Sequence, residues 1–103
     1  MLNRSFTVYN DALGTWKVTF LAELISGRRR WYADVTCFIE RLNSTNSACV
    51  FAGVAHCAHE DPFILRKGMV ISFDRACEHL EDETSFMIFE AFEVWIGVSG
   101  EGQ

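Results

Sequence analysis

The sequence predicts an α+β domain of two layers: an antiparallel β-meander of three or four strands, followed by one or two C-terminal helices packed on the sheet. Three observations predict it. The first half alternates apolar and polar residues over strand-length stretches, the pattern of a sheet buried on one side. Turn formers separate those stretches, and the only proline, Pro62, marks where the alternation gives way. From there apolar residues recur at three- and four-residue spacing, as on one face of a helix.

Taken in order, residues 5–9 (SFTVY) are a short strand closed by Asn10, Asp11 and Gly14. Residues 15–25 place Trp16, Val18, Phe20, Ala22 and Leu24 on one face and Lys17, Thr19 and Glu23 on the other. After Ser26 and Gly27 the alternation resumes, with Trp31, Ala33, Val35, Cys37 and Ile39 inward and Asp34, Thr36 and Glu40 outward. These two strands make a hairpin whose tip carries Arg28, Arg29 and Arg30. Residues 43–47 (NSTNS) read as a second turn, and residues 48–57 as a further strand in which Gly53 signals a bulge or a close backbone approach.

Asp61 and Pro62 suit the N-cap and first position of a helix, which is therefore expected to begin at about Asp61. Met69, Phe73, Ala76, Cys77 and Leu80 fall on its apolar face, while Arg66, Lys67, Asp74 and Glu78 fall elsewhere. Gly68 inside this helix costs about 1 kcal/mol relative to alanine, which suggests that the helix lies close to the sheet there. Residues 81–84 (EDET) read as a break, so two helices are favoured over one long helix with a heptad-like stripe. In the second, Phe86, Ile88, Phe89, Phe92, Trp95 and Ile96 point several ways, more than one sheet face covers. A second copy of the chain is the expected cover, in a two-fold homodimer through Phe89, Phe92, Trp95 and Ile96; the alternative is burial on the domain's other sheet face or as an edge strand.

A chain of 103 residues, half of them apolar, makes one domain spanning residues 1–103 that folds without disulfides. The first eleven residues hold no apolar run of signal-peptide length, and the apolar stretch from Ser85 to Val98 is interrupted by Glu90 and Glu93. No membrane association is expected, and a cytoplasmic location is. The four cysteines, Cys37, Cys49, Cys57 and Cys77, then read as reduced thiols. Charge is unevenly divided. Residues 1–59 hold six Lys and Arg against four Asp and Glu, a balance of +2; residues 60–103 hold three against ten, a balance of −7. An acidic half favours a basic partner over bare nucleic acid.

Chemistry is sparse. His56, Cys57, His59, Cys77 and His79 are the densest group of metal-ligand types, but no CxxC or HxxxH pair occurs, and adjacent His56 and Cys57 face opposite sides of a strand. A Cys/His nucleophilic pair would need an activated thiolate with a base in reach, which this spacing does not supply. No phosphate-binding glycine loop, GxSxG elbow or paired-carboxylate motif is present. No metal, cofactor or enzymatic activity is expected. The Arg28–Arg30 run beside Trp31 and Tyr32 is the candidate for phosphate contact and base stacking.

A strand ending with Gly53, Ala55 and Cys57, then Asp61 and Phe63, Lys67-Gly68, Ile71, Phe73 and the pair Arg75-Ala76 resembles a group of small uncharacterised bacteriophage and prophage proteins over residues 48–77. The sequence departs from that pattern at Met69, where an arginine often follows the glycine, and at Ser72, where alanine is usual. The resemblance implies phage origin and a sheet-plus-helix fold. A fainter likeness is to the double-stranded-RNA-binding domain, in which three strands precede a helix with a basic start; Arg66 and Lys67, with the Arg28–Arg30 hairpin, would fill that role.

The function expected from the sequence is therefore that of a small phage or prophage accessory protein that binds a host protein with a basic surface, as in an inhibitor of a nucleic-acid-handling defence component. Glu78, Glu81, Asp82 and Glu83 are the expected contacts. The alternative is a nucleic-acid-binding module using Arg28, Arg29, Arg30, Arg66 and Lys67.

Overall fold

A computed structural model describes residues 2–26, 31–42, 50–57 and 65–99. Among them the elements are β1 (Leu2–Val8), β2 (Thr15–Ser26), β3 (Trp31–Leu42), β4 (Val50–Cys57), α1 (Leu65–Cys77) and α2 (Asp82–Ser99). The strands form a four-stranded antiparallel sheet in the order β1-β2-β3-β4, and both helices pack on one of its faces, an α+β fold of two layers. The first strand starts earlier than its apolar core suggests, at Leu2, because pairing from Leu2↔Ala22 to Val8↔Trp16 carries the polar residues Asn3, Arg4 and Ser5 along the edge of β2.

The loop from β1 to β2 is built by Asn10. Its side-chain oxygen accepts from the amides of Ala12 and Leu13, both at 2.8 Å, and its carbonyl accepts from the Gly14 amide at 3.0 Å. Gly14 has φ +93°, the left-handed region that favours glycine. The Trp16 indole N–H then closes the turn on the Leu13 carbonyl at 2.8 Å, and the Arg41 guanidinium stacks over the same ring.

The expected hairpin of β2 and β3 is present, with Trp16↔Arg41, Val18↔Ile39, Phe20↔Cys37 and Ala22↔Val35 directly opposite. Trp16, Val18, Phe20, Ala22, Val35, Cys37 and Ile39 are all buried under the helices, as the alternation predicts. The other face carries Thr19, Leu21, Thr36, Phe38 and Val54, which are half-buried. β4 continues the sheet without a bulge, since the register runs unbroken through Cys37↔Gly53. Gly53 instead marks a close approach. A Cβ there would overlap the Ser72 carbonyl oxygen and the Ala76 amide nitrogen, so the backbone of α1 sits directly on that of β4. Gly68 brings α1 close to β3 through a side chain: a Cβ there would come within 2.6 Å of Val35 Cγ2.

The chain breaks between α1 and α2 at residues 78–81, and two helices result. α1 lies over β3 and β4. α2 lies over β1 and β2, held by an aromatic cluster in which Trp95 stacks on Phe20 (5.7 Å, 8°) and meets Phe6 at 5.0 Å, while Phe92 stacks on Phe73 of α1 at 4.4 Å. This corrects the expected homodimer surface. Phe92 and Ile96 are buried in the core of a single chain, and Trp95 is packed against that core. The expectation assumed that α1 used up the apolar face. Four strands about 4.8 Å apart are instead wide enough for two helices 8–10 Å apart. Of the four residues, Phe89 alone is exposed. The expected helix start at Asp61, the hairpin tip at residues 27–30 and the turn at residues 43–47 lie outside the described residues.

Two pairs of substitutions test this packing. Gly53→Ala should destabilise at or above the upper end of the about 1–3 kcal/mol usual for overpacking, because the obstructing atoms are backbone. Gly97→Ala has nothing within 4 Å of the added methyl and should stabilise α2 by about 0.5–1 kcal/mol, raising Tm by a few degrees. Phe92→Asp should unfold the domain, whereas Phe86→Asp, at a residue 64% exposed, should leave the melting curve nearly unchanged. Circular dichroism melts decide each, and an intact Phe92→Asp protein would contradict the assignment of this residue to the core.

Candidate binding groove between the helices

The buried stripe of α2 runs through Thr84, Ile88, Phe92 and Ile96, every fourth residue. Residues between these turns point outward, and three of them are large and apolar: Phe86 (64% exposed), Phe89 (45%) and Val94 (67%). Phe86 and Phe89 face α1, whose Val70 is also exposed, at 44%. Between the helices lies an open groove of about 660 Å³. Val70, Phe73, Phe86, Phe89 and Phe92 give it an apolar lining, and Asp74, Glu78 and Asp82 an acidic one. The volume falls within the range of about 300–1,000 Å³ typical of ligand clefts.

Among the described lining residues the one cation is Arg75, which also contacts the sheet. The guanidinium donates to the Val54 carbonyl at 2.5 Å, occupying an acceptor on β4. Three carboxylates against one guanidinium among the described lining residues leave the groove net negative. Asp82 and Glu83 stand in the first turn of α2, where they complement the positive end of the helix dipole. Asp74 and Glu78 have no such explanation. They are like-charged and four residues apart, Asp74 in the last turn of α1 and Glu78 in the turn just after it, where the dipole is negative. Each arrangement costs a few tenths of a kcal/mol, and Arg75 is the only basic residue in that turn.

The structure brings together two of the four expected protein-binding residues, Glu78 and Asp82, on the groove; Glu81 and Glu83 are exposed beside them at the start of α2. Sequence reasoning missed Val70, Phe86 and Asp74. The signal available for Asp74 was its like-charged partner four residues on, and for Phe86 its position two residues away from the buried stripe. Of the expected nucleic-acid residues, Arg66 and Lys67 are exposed in the first turn of α1 and do not line the groove, and Arg28, Arg29 and Arg30 lie outside the described residues. The order of two helices after four strands also differs from the RNA-binding domain, since β1 precedes the three strands where that domain has a helix.

The residues weighed as metal ligands are scattered. His56 is exposed on β4, and its Nδ1–H donates to Asp34 Oδ1 at 2.6 Å, across the strand pair Asp34↔His56. His79 is exposed in the turn after α1, Cys77 is half-buried, and His59 lies outside the described residues. Among the described residues no three His, Cys, Asp or Glu side chains gather around one point. Burial raises the Cys37 thiol far above its usual range, with the neighbouring Cys77 adding to the effect. Cys77 is pushed up to about 11 by burial, against a hydrogen bond from Ser85 that lowers it. Neither is an activated thiolate. Among the described residues no helix is long and apolar enough to cross a membrane.

Compared with known proteins, the chain matches no family model, no curated protein and no solved structure.

The thiols predict a pH dependence. Below pH 9 both folded and unfolded Cys77 keep the proton; between about 9 and about 11 the unfolded thiol ionises while the folded one does not, so stability falls as pH rises through that window. Urea melts at pH 8 and pH 10.5 should show a loss that is smaller in Cys77→Ser. An equal loss in both proteins would mean that other groups carry it.

Proposed function

We propose that this protein is a small, non-enzymatic accessory protein that binds a host protein with a basic surface through the acidic groove between α1 and α2. The observation that carries this reading is the placing of Asp74 and Glu78. Two carboxylates stand where helix dipole and neighbour repulsion both oppose them, beside aromatic residues left uncovered by the core. A local arrangement that costs stability without return in the fold is the mark of a binding surface. Glu81, Asp82 and Glu83 extend the same negative field, which speeds encounter with a partner of opposite charge.

The resemblance over residues 48–77 supports a phage or prophage origin, and with it a target in the host cytoplasm. A nucleic-acid-handling component offers the complementary surface, since a groove built for phosphates is lined by cations and an acidic ridge can occupy it. Nucleic-acid binding by this protein itself is disfavoured by the same field, because phosphates are repelled by the residues that attract a basic protein.

The test is affinity capture from host lysate with the native protein and with a variant carrying D74N, E78Q, E81Q, D82N and E83Q. A discrete partner should be retained by the first and lost by the second, with affinity falling as salt rises. A partner held equally by both would remove the acidic face from the interaction. In parallel, neither a short RNA nor a short DNA duplex should shift in a gel at low salt; a shift abolished by R66A and K67A would favour the nucleic-acid-binding alternative.

A further inference from the structure

We infer that the groove is a seat for one turn-by-turn match, an amphipathic α-helix of the partner with three large apolar anchors and Lys or Arg on its flanks. This rests on the protein-binding reading and specifies its partner. The walls of the groove are helix side chains, so its lining offers the occupant no strand edge with which to pair. An extended peptide laid there would leave its own amides and carbonyls unsatisfied where water is displaced; a helix satisfies them internally.

Length and charge fix the rest. The α1 wall runs from Val70 to Cys77, a separation of seven positions, or about 10.5 Å of helix rise. Anchors at i, i+4 and i+7 of an occupant helix span the same distance. They would lie on Phe73, Phe86, Phe89 and Phe92, with flanking cations facing Asp74, Glu78 and Asp82. A second copy of this chain fits poorly, because two-fold docking of groove on groove would set these carboxylates against their own images.

The test uses the full chain and two fluorescein-labelled peptides of identical composition, about 18 residues long. One carries Leu, Phe and Leu at i, i+4 and i+7 with lysines at the flanks; the other is a scramble with the same charge and no apolar face. Fluorescence anisotropy at low salt should show the patterned peptide binding at least tenfold more tightly than the scramble, and gaining helical circular dichroism when bound. Phe86→Ala, at a position 64% exposed, should weaken it at least tenfold while leaving Tm nearly unchanged; Phe89→Ala, which also removes a ring stacked on Phe73, should weaken it further with some loss of Tm; and Glu78→Gln should flatten its salt dependence.

Equal binding of both peptides would mean attraction by charge alone, which overturns the helix seat and leaves the acidic binding face standing. Binding of the patterned peptide that ignores Phe86 and Phe89 also overturns it. If neither peptide binds at low salt, the helix seat and the acidic-face reading both fall. Sedimentation provides the remaining outcome: concentration-dependent dimers lost with Phe86 and Phe89 would make a second copy the occupant and overturn the inference.

Discussion

The fold depends on the backbone contact between α1 and β4 at Gly53. Where most helices rest on a sheet through side chains, with about 10 Å between layers, here the segment Ser72–Ala76 meets the strand with no Cβ between them. Gly68 over Val35 extends the contact to β3, and Ser72, fully buried, turns its hydroxyl back to the Met69 carbonyl at 3.1 Å so that no polar group is stranded in the tight layer. A low-lying α1 directs Phe73 towards Phe92, and the 4.4 Å stack between them sets where α2 can lie. The groove follows from that spacing. Its floor is the Phe73–Phe92 stack, and its far wall is the side of α2 that this stack cannot cover.

The sheet and its register were legible because they depend on period two. Trp16, Val18, Phe20 and Ala22 had only to alternate with polar residues for their face to be assigned, and pairing opposite Ile39, Cys37 and Val35 followed from the hairpin. The close approach at Gly53 and Gly68 was legible for the same local reason, a missing side chain in an otherwise regular element. Partition of α2 was not. Sequence shows that its apolar residues exceed one face, but not which of them the fold absorbs, because that depends on how far α1 spreads over the sheet. Phe92 and Ile96 were therefore read as surface when they are core, and Phe86 was passed over when it is exposed.

The groove proposed as a binding face was half legible. Charge asymmetry pointed to the acidic C-terminal half, and Glu78 and Asp82 do line the groove. What the sequence alone could not supply was that an apolar surface would lie beside them, since Val70 and Phe86 are sixteen residues apart and meet only after the chain reverses at residues 78–81. Charge by itself distinguishes poorly between a solvated face and a binding one. Charge that flanks exposed aromatics is a narrower signal.

The two halves of the molecule thus treat local rules differently. Along the sheet and the inner faces of the helices, each local choice agrees with the fold: alternation, the Asn10 turn, the positive φ at Gly14, and glycines where α1 meets the sheet. At the outer side of the helix pair the choices conflict with it. Asp74 and Glu78 oppose the dipole of α1, and Phe86 and Phe89 expose aromatic surface that folding alone would bury. Both conflicts meet at one groove, beside a core whose aromatic cluster joins the two layers. Among the described residues of the helix pair, exposed aromatics and like-charged carboxylates coincide at that groove, which is what separates this surface from the rest of an acidic exterior.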